Sequence, residues 1–96
     1  MKLLSVTPSS KPEKKFMAKF ETTNGRVKTV HFGQATADDY TLTKDKAQRE
    51  RYRLRHAKDL TTNDPTKAGY LSYFLLWGDS TNLRTNITKY KEKFDL

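Results

Sequence analysis

The chain has 96 residues, a formal net charge of +8 and no cysteine, which predicts one small basic domain near the lower size limit for a self-sufficient core. The absence of cysteine excludes disulfides and cysteine-based metal or catalytic sites. No apolar run approaches the roughly 18 residues that a membrane span requires. Only 34% of the residues are hydrophobic, so we expect the aromatic residues to supply much of the buried area.

The positive charge is concentrated in two segments. Residues 1–19 hold five basic and one acidic side chain, and residues 44–59 hold seven basic and three acidic ones. Such zones predict a partner with an acidic surface, which is a nucleic acid, an anionic lipid surface or an acidic protein face. The residues predicted to form the basic surface are Lys11, Lys14, Lys15, Lys44, Arg51, Arg55 and Lys58.

The first third of the chain predicts an extended arm followed by a β-hairpin. Proline, serine and lysine dominate the N-terminal segment and offer little apolar surface, so we expect residues 1–15 to be a flexible basic arm before a single domain of residues 16–96. Apolar and polar residues then alternate over 15–22 and 26–32. The Asn-Gly dipeptide between these two strands is typical of a type I′ hairpin turn.

Three helices are predicted after the hairpin, each from a capping residue followed by a periodic apolar pattern. The last of them repeats apolar residues at helical spacing, which is typical of a helix that packs one face on a core. The predicted fold class is α+β, with one hairpin packed on three helices. The predicted helices span 44–58 (cap Thr43), 65–77 (cap Asn63 or Asp64, then Pro65) and 80–94 (cap Asp79 or Ser80, apolar stripe Leu83, Ile87, Tyr90 and Phe94).

The first predicted helix carries basic residues on two opposite sides. At 100° per residue, Arg51 and Arg55 share one side while Arg49 and Arg53 share the other. A helix that reads DNA usually gathers its basic residues on one face, so we expect one side to face solvent or a partner and the other to pair with carboxylates. This internal network is predicted to include Asp38, Asp39, Arg49, Tyr52, His56 and Asp64. The alternative is that these residues form a site for an anion. Between the two basic sides, Ala47, Leu54 and Ala57 form a narrow apolar stripe.

Nothing in the sequence indicates an enzyme. His31 and His56 lie in different predicted elements without the spacing of metal ligands, and adjacent carboxylates such as Asp38 and Asp39 are usually solvated or paired. Neither a glycine-rich phosphate loop nor a serine elbow is present. We therefore predict no catalytic residue, no cofactor and no metal.

The second predicted helix is apolar nearly all round, from Ala68 to Trp77. Such a helix is buried either in its own domain or against a partner, and the remaining elements of a small chain are expected to cover only part of it. Aromatic residues are favoured anchors in protein interfaces. The residues predicted to form a partner interface are Tyr70, Tyr73, Phe74 and Trp77.

The order of several short motifs is similar to that of a known family. The chain contains Val-His-Phe-Gly at 30–33, Asp-Tyr-Thr at 39–41, the spacing R-x-x-Y-x-x-R-H at 49–56, Asp-Pro at 64–65 and Leu-Leu-Trp at 75–77. The series resembles a family of small basic proteins of large double-stranded DNA viruses, the chlorovirus and mimivirus group. The resemblance extends over about residues 16–94.

The chain departs from the pattern of this viral family at three places. Thr43 stands where a histidine is common, Tyr73 stands where an arginine is common, and Gly78-Asp79 follows the Trp where Asn-Lys is common. The replacement at Tyr73 removes a charge that a binding site would use. The resemblance therefore implies a shared fold more strongly than a shared site.

The resemblance and the residue pattern together lead to two functional hypotheses. The first is a minor capsid protein, located in the virion and in the host cytoplasm during assembly, that docks onto other capsid proteins through its aromatic helix and basic surfaces. The alternative is a basic protein that binds nucleic acid and is associated with the viral genome. Separate basic faces and an excess of apolar helix favour the first hypothesis, because docking onto several partners requires several surfaces.

Overall fold

The computed structural model describes all 96 residues and contains a three-stranded antiparallel sheet with strand order β1-β2-β3. The strands are β1 (Lys2–Pro8), β2 (Lys14–Glu21) and β3 (Val27–Gln34). Side chains alternate between the two faces of a strand, and Ala18 and Phe20 lie on the buried face. The prediction of a hairpin in this part of the chain is confirmed.

The hairpin turn differs from the predicted type I′ turn. A type I′ turn requires positive φ at both central residues, but only Gly25 has positive φ, at 79°. The Gly25 N–H donates to Thr22 O at 3.0 Å, and the Thr22 N–H donates to Arg26 O at 2.8 Å. This is a three-residue loop in which glycine takes the left-handed position of a bulge.

The prediction that residues 1–15 form a flexible arm is wrong, because residues 2–8 are the edge strand β1. Leu3 lies opposite Phe20, and Val6 lies opposite Ala18. The Leu3 N–H donates a hydrogen bond to Leu96 O at 3.2 Å, which joins β1 to the C-terminal end of the chain. Because β1 pairs with β2 along its length and Leu3 is buried, β1 is part of the domain. The radius of gyration of 12.8 Å is close to the roughly 13 Å expected for a compact domain of 100 residues.

The helical half of the chain is more divided than predicted. The predicted second helix, 65–77, is a single α-helical turn followed by a π-helical turn. The predicted first helix, 44–58, ends earlier as an α-helix and continues into a 3₁₀-helix. None of the helices is long and apolar enough to cross a membrane. The elements are α1 (Tyr40–Thr43), α2 (Lys46–His56), the 3₁₀-helix Ala57–Thr62, α3 (Ala68–Leu71), the π-helix Ser72–Leu76 and α4 (Leu83–Phe94).

The caps of α2 and α4 lie two or three residues beyond the predicted ones. Asp45, and not Thr43, caps α2 by accepting from the Gln48 N–H. Asn82, and not Asp79 or Ser80, caps α4 by accepting from the Thr85 N–H. In both cases the sequence contains another polar residue nearby that is an equally good cap. The predicted cap Asp64 instead closes the turn before α3, where it accepts from the backbone N–H of Thr66 at 2.9 Å.

Aromatic packing joins the helices to one another. The rings of Phe74 and Phe94 meet edge to face with centroids 5.3 Å apart, and Tyr90 meets Phe94 at 4.8 Å. The Tyr90 hydroxyl donates to Pro65 O at 2.5 Å, and the Tyr70 hydroxyl donates to Leu60 O at 2.7 Å. Because buried hydroxyls need partners, these tyrosines fix the loop before α3 while their rings fill the core.

Candidate functional site

Helix α2 turns its polar side inward and its apolar side outward. Arg49, Tyr52, Arg53 and His56 are half-buried against the domain, whereas the Leu54 side chain is 81% exposed. The predicted division of the arginines between two sides is therefore present. The predicted apolar stripe of Ala47, Leu54 and Ala57 faces solvent and does not pack on the core.

The inward arginines of α2 bind the segment that follows the π-helix. The Arg53 Nε donates to Trp77 O at 2.8 Å, and its Nη2 donates to the Asp79 carboxylate at 3.1 Å. Arg49 reaches the carbonyls of Gly78 and Asp79 at 3.4 Å. Carbonyls at a helix C-terminus lack intrahelical donors and attract cations, so the two arginines complete this terminus. The hydrogen bond from Arg53 lowers the pKa of the Asp79 carboxyl below its ordinary value.

The predicted internal network is divided into separate contacts. Asp39 is buried, caps α1 and pairs with Lys15 at 2.5 Å, although an arginine was the expected partner. Asp64 binds the Thr66 side chain at 2.7 Å, and this hydrogen bond lowers the pKa of its carboxyl. Asp38 is exposed and forms no ion pair. The expected arginine–aspartate network between α2 and residues 38–39 is therefore wrong.

Three rings stack between α2 and the end of the π-helix. The ring of Tyr52 lies 4.3 Å from that of Trp77 on one side and 4.1 Å from that of His56 on the other, centroid to centroid. The His56 Nδ1 lies 3.0 Å from the Asp59 carboxylate. Burial, followed by the nearby Asp59 charge, raises the pKa of the Tyr52 phenol.

The rings border an open cleft of about 650 Å³ between β2, β3, α2 and the central helix, which we define as residues 68–76. We call it the basic cleft. Lys14 extends from β2, while Arg51 and Arg55 extend from α2. None of these three cations forms an ion pair, and Asp38 is the one lining carboxylate without an ion-pair partner.

The basic cleft brings together four of the seven predicted basic-surface residues. Lys14, Lys15, Arg51 and Arg55 line it, but Lys15 is engaged with Asp39. Two segments that are far apart in the sequence thus contribute cations to one concave surface. The other three predicted residues, Lys11, Lys44 and Lys58, are exposed outside its lining.

Local backbone features shape the wall of the basic cleft. The Trp77 N–H donates to Ser72 O at 3.1 Å, five residues back, which is the hydrogen bond of a π-helical turn; such turns are frequent at functional sites. Gly33 has φ of 79°, and a Cβ there would lie 2.8 Å from the Leu76 side chain. Only glycine combines this backbone conformation with so close an approach of β3 to the central helix. The sequence analysis did not assign a role to Ser72 or Gly33.

A second concave surface of about 540 Å³ lies along a different face of the central helix, toward α4. We call it the aromatic groove. Tyr73, Phe74 and Phe94 line it and are half-buried, and Lys89 and Lys93 lie along it. The two lysines are four residues apart on α4, so helical spacing was the available signal for their common side.

The predicted partner interface is only partly accessible. Tyr70 and Trp77 are 5% and 6% exposed, so they are core residues and the prediction that they are interface anchors is wrong. The aromatic cluster with α4 covers Tyr70, and the Tyr52 ring of α2 stacks on Trp77. Tyr73 and Phe74 retain the exposure that a contact needs.

Asn86 is a structural residue that the sequence analysis missed. Its buried side-chain amide donates to Leu75 O at 3.0 Å and to Ser80 O at 2.8 Å, and its Oδ1 accepts from the Ser80 N–H at 3.0 Å. Asn86 thus joins α4 to the turn after the central helix. In the sequence, the only indication of this role is that Asn86 directly precedes Ile87, a residue of the predicted apolar stripe.

Comparison with known proteins gives one match. Residues 4–56 match the model of a family described as "Family of unknown function (DUF5754)". The chain belongs to this family. The part of the chain that matches DUF5754 contains β2, β3, α1, α2 and the part of β1 from residue 4 onward, and hence Lys14, Arg51 and Arg55. No curated protein and no solved structure matches the chain.

Proposed function

We propose that this protein is a non-enzymatic structural component of a large double-stranded DNA virus, a minor capsid protein that docks onto other capsid proteins. The viral origin is proposed from the resemblance of its motif series. The docking role is supported by one observation, the presence of two separate concave surfaces beside the same central helix. A protein with two such surfaces can hold two partners at once.

The aromatic groove is the proposed contact with a capsid protein. Its half-buried rings supply apolar area, and the Lys93 ammonium lies 5.8 Å from the ring centroids of both Phe74 and Phe94. Aromatic residues surrounded by a polar rim are the usual composition of an interface centre. This contact relies on Tyr73 and Phe74, because Tyr70 and Trp77 are only 5% and 6% exposed.

The first test locates the protein and then its contact. Extraction of purified particles into shell and core fractions should place it with the shell. Tyr73→Ala should weaken binding to shell proteins by about tenfold or more, as truncation of an interface anchor does, and moderate salt should have little effect. Leu54→Ala is the matched control, because Leu54 is exposed on α2 outside both surfaces. Equal binding by the two variants would contradict the proposed contact.

The basic cleft favours a second candidate function, binding of nucleic acid. Lys14, Arg51 and Arg55 form no ion pair, although the Arg55 guanidinium lies 5.9 Å from the Tyr52 ring centroid. Cations without a carboxylate partner in a cleft attract phosphates. The test compares two variants that each lose two positive charges. Arg51→Gln with Arg55→Gln should weaken DNA binding and flatten its salt dependence, whereas Lys44→Gln with Lys58→Gln should do so much less. An equal effect would mean that net charge, and not the cleft, is responsible.

A further inference from the structure

The stack of three rings has one closed end and one open end. Trp77 is 6% exposed and is part of the core, so no group can extend the stack on that side. At the other end, the His56 side chain is 32% exposed and lines the basic cleft. The ring that ends the stack therefore borders the same space as the free cations.

The His56 ring is held in a fixed orientation. Stacking on Tyr52 at 4.1 Å with an interplanar angle of 21° sets its plane, and the Asp59 carboxylate binds its Nδ1 at 3.0 Å. A ring fixed in this way loses little conformational freedom when a further ring stacks on it. Aromatic side chains and histidine are the platforms on which unpaired bases of nucleic acids stack.

We infer that the basic cleft binds a single-stranded segment of nucleic acid, with one base stacked on His56 and the adjacent phosphates paired with Arg51, Arg55 and Lys14. This inference rests on the second candidate function and specifies its ligand. A single strand exposes its bases, whereas a duplex has its bases already stacked. The cleft volume of about 650 Å³ lies within the range of roughly 300–1,000 Å³ typical of small-ligand sites, which fits one or two nucleotides.

The charges of the lining agree with this occupant. Three cations without an ion-pair partner line the cleft, but only one carboxylate without such a partner, Asp38, does so. The other lining carboxylate, Asp59, is paired with His56. An acidic peptide would satisfy the cations equally well but has no base to place on the His56 ring. The ring stack is therefore the observation that favours a nucleic acid over an acidic peptide.

The experiment measures binding of four fluorescent probes to the full chain. The probes are a short oligothymidylate, an abasic strand with the same number of phosphates, a duplex of the same length and poly-glutamate. The single strand should bind most tightly. The abasic strand should bind about tenfold more weakly, since stacking of one base contributes a factor of that order.

Two substitutions at one position separate stacking from charge. His56→Ala should weaken binding of oligothymidylate by about tenfold and leave binding of the abasic strand nearly unchanged. His56→Phe keeps a ring at the end of the stack and should retain most of the affinity, which also guards against a His56→Ala variant that fails to fold. Denaturant midpoints of both variants serve as the folding control.

The possible failures of the inference and of the second candidate function are distinguishable. If the single strand, the abasic strand and the duplex bind in proportion to their phosphates, the protein binds nucleic acid but the stacking inference is wrong. If poly-glutamate binds as tightly as oligothymidylate, the cleft recognises acidic charge and the inference is also wrong. If none of the nucleic-acid probes binds at 50 mM salt, the second candidate function itself is wrong.

Discussion

The buried ion pair between Lys15 and Asp39 gives the most direct test of this structure. Asp39 and its neighbour Asp38 look alike in the sequence, but the Asp39 side chain is 2% exposed and Asp38 is exposed. Asp39→Asn removes the charge and keeps an oxygen that can still accept from the Thr41 N–H. The Lys15 side chain, which is 10% exposed, would then carry a buried charge without a partner. Asp38→Asn makes the same chemical change at the exposed position.

The expected loss of stability follows from the burial of the two partners. Removal of one member of a buried ion pair costs about 3–5 kcal/mol, and the slight exposure of Lys15 favours the lower value. A loss of about 3 kcal/mol should lower the Tm by roughly 12–24 °C in a domain of this size. Asp38→Asn should change the free energy of unfolding by no more than about 0.5 kcal/mol.

The assay is urea unfolding at neutral pH followed by circular dichroism, with thermal unfolding as a second measure. A double variant, Lys15→Met with Asp39→Asn, should recover part of the loss because it leaves no unpaired charge. If Asp38→Asn and Asp39→Asn have the same unfolding midpoint, the ion pair does not stabilise the fold. The assignment of β2 and α1 as neighbours through Lys15 and Asp39 would then be refuted as well.

Three further predictions concern the helical half. Gly78→Ala should cost about 4 kcal/mol or more in unfolding free energy, because a Cβ there would lie 2.2 Å from Phe74 O; an unchanged denaturant midpoint would contradict it. Asn86→Ala should cost about 2–4 kcal/mol, since it leaves buried polar groups unpaired, and faster hydrogen exchange in the adjoining turn would accompany the loss. Asp64 is stabilised by hydrogen bonds from Thr66 that lower its pKa, so its contribution is present above about pH 4 and is lost as the pH falls below that value. Asp64→Asn should therefore show a smaller drop of urea midpoint between pH 5 and pH 2 than the wild-type chain, and an identical drop would refute this role.

The sequence was sufficient for the hairpin but not for the strand before it. Alternation and the Asn-Gly dipeptide identify β2 and β3 because both signals are local. In β1, the register shifts between Leu3 and Ser5, so Leu3 and Val6 pair with inward residues of β2 although their spacing is odd. A bulge breaks the period of two on which strand prediction depends, and the prolines and serines that follow then dominate the composition.

The sequence also indicated the opposed arginines of α2 but not their partners. Helical spacing places Arg49 and Arg53 on one side whatever the fold is. Their contacts are backbone carbonyls after the π-helix, and carbonyls have no signature in a sequence. The contacts of the central helix could not be predicted either. Its sequence shows that it is apolar all round, but not which of its faces the sheet, α2 and α4 cover.

The number of basic residues in this chain is therefore a poor guide to its binding surface. Lys15, Arg49 and Arg53 have carboxylate or carbonyl partners inside the fold, so they stabilise the domain and contribute little to recognition. Arg51 and Arg55 lie only two residues from these internal arginines, yet they face a cleft and have no ion-pair partner. Since electrostatic attraction of a partner depends on charge that is unpaired and accessible, helix orientation, and not net charge, determines which cations are available. Loss of binding in the Arg51 and Arg55 variants without loss of stability would be the direct consequence of that orientation.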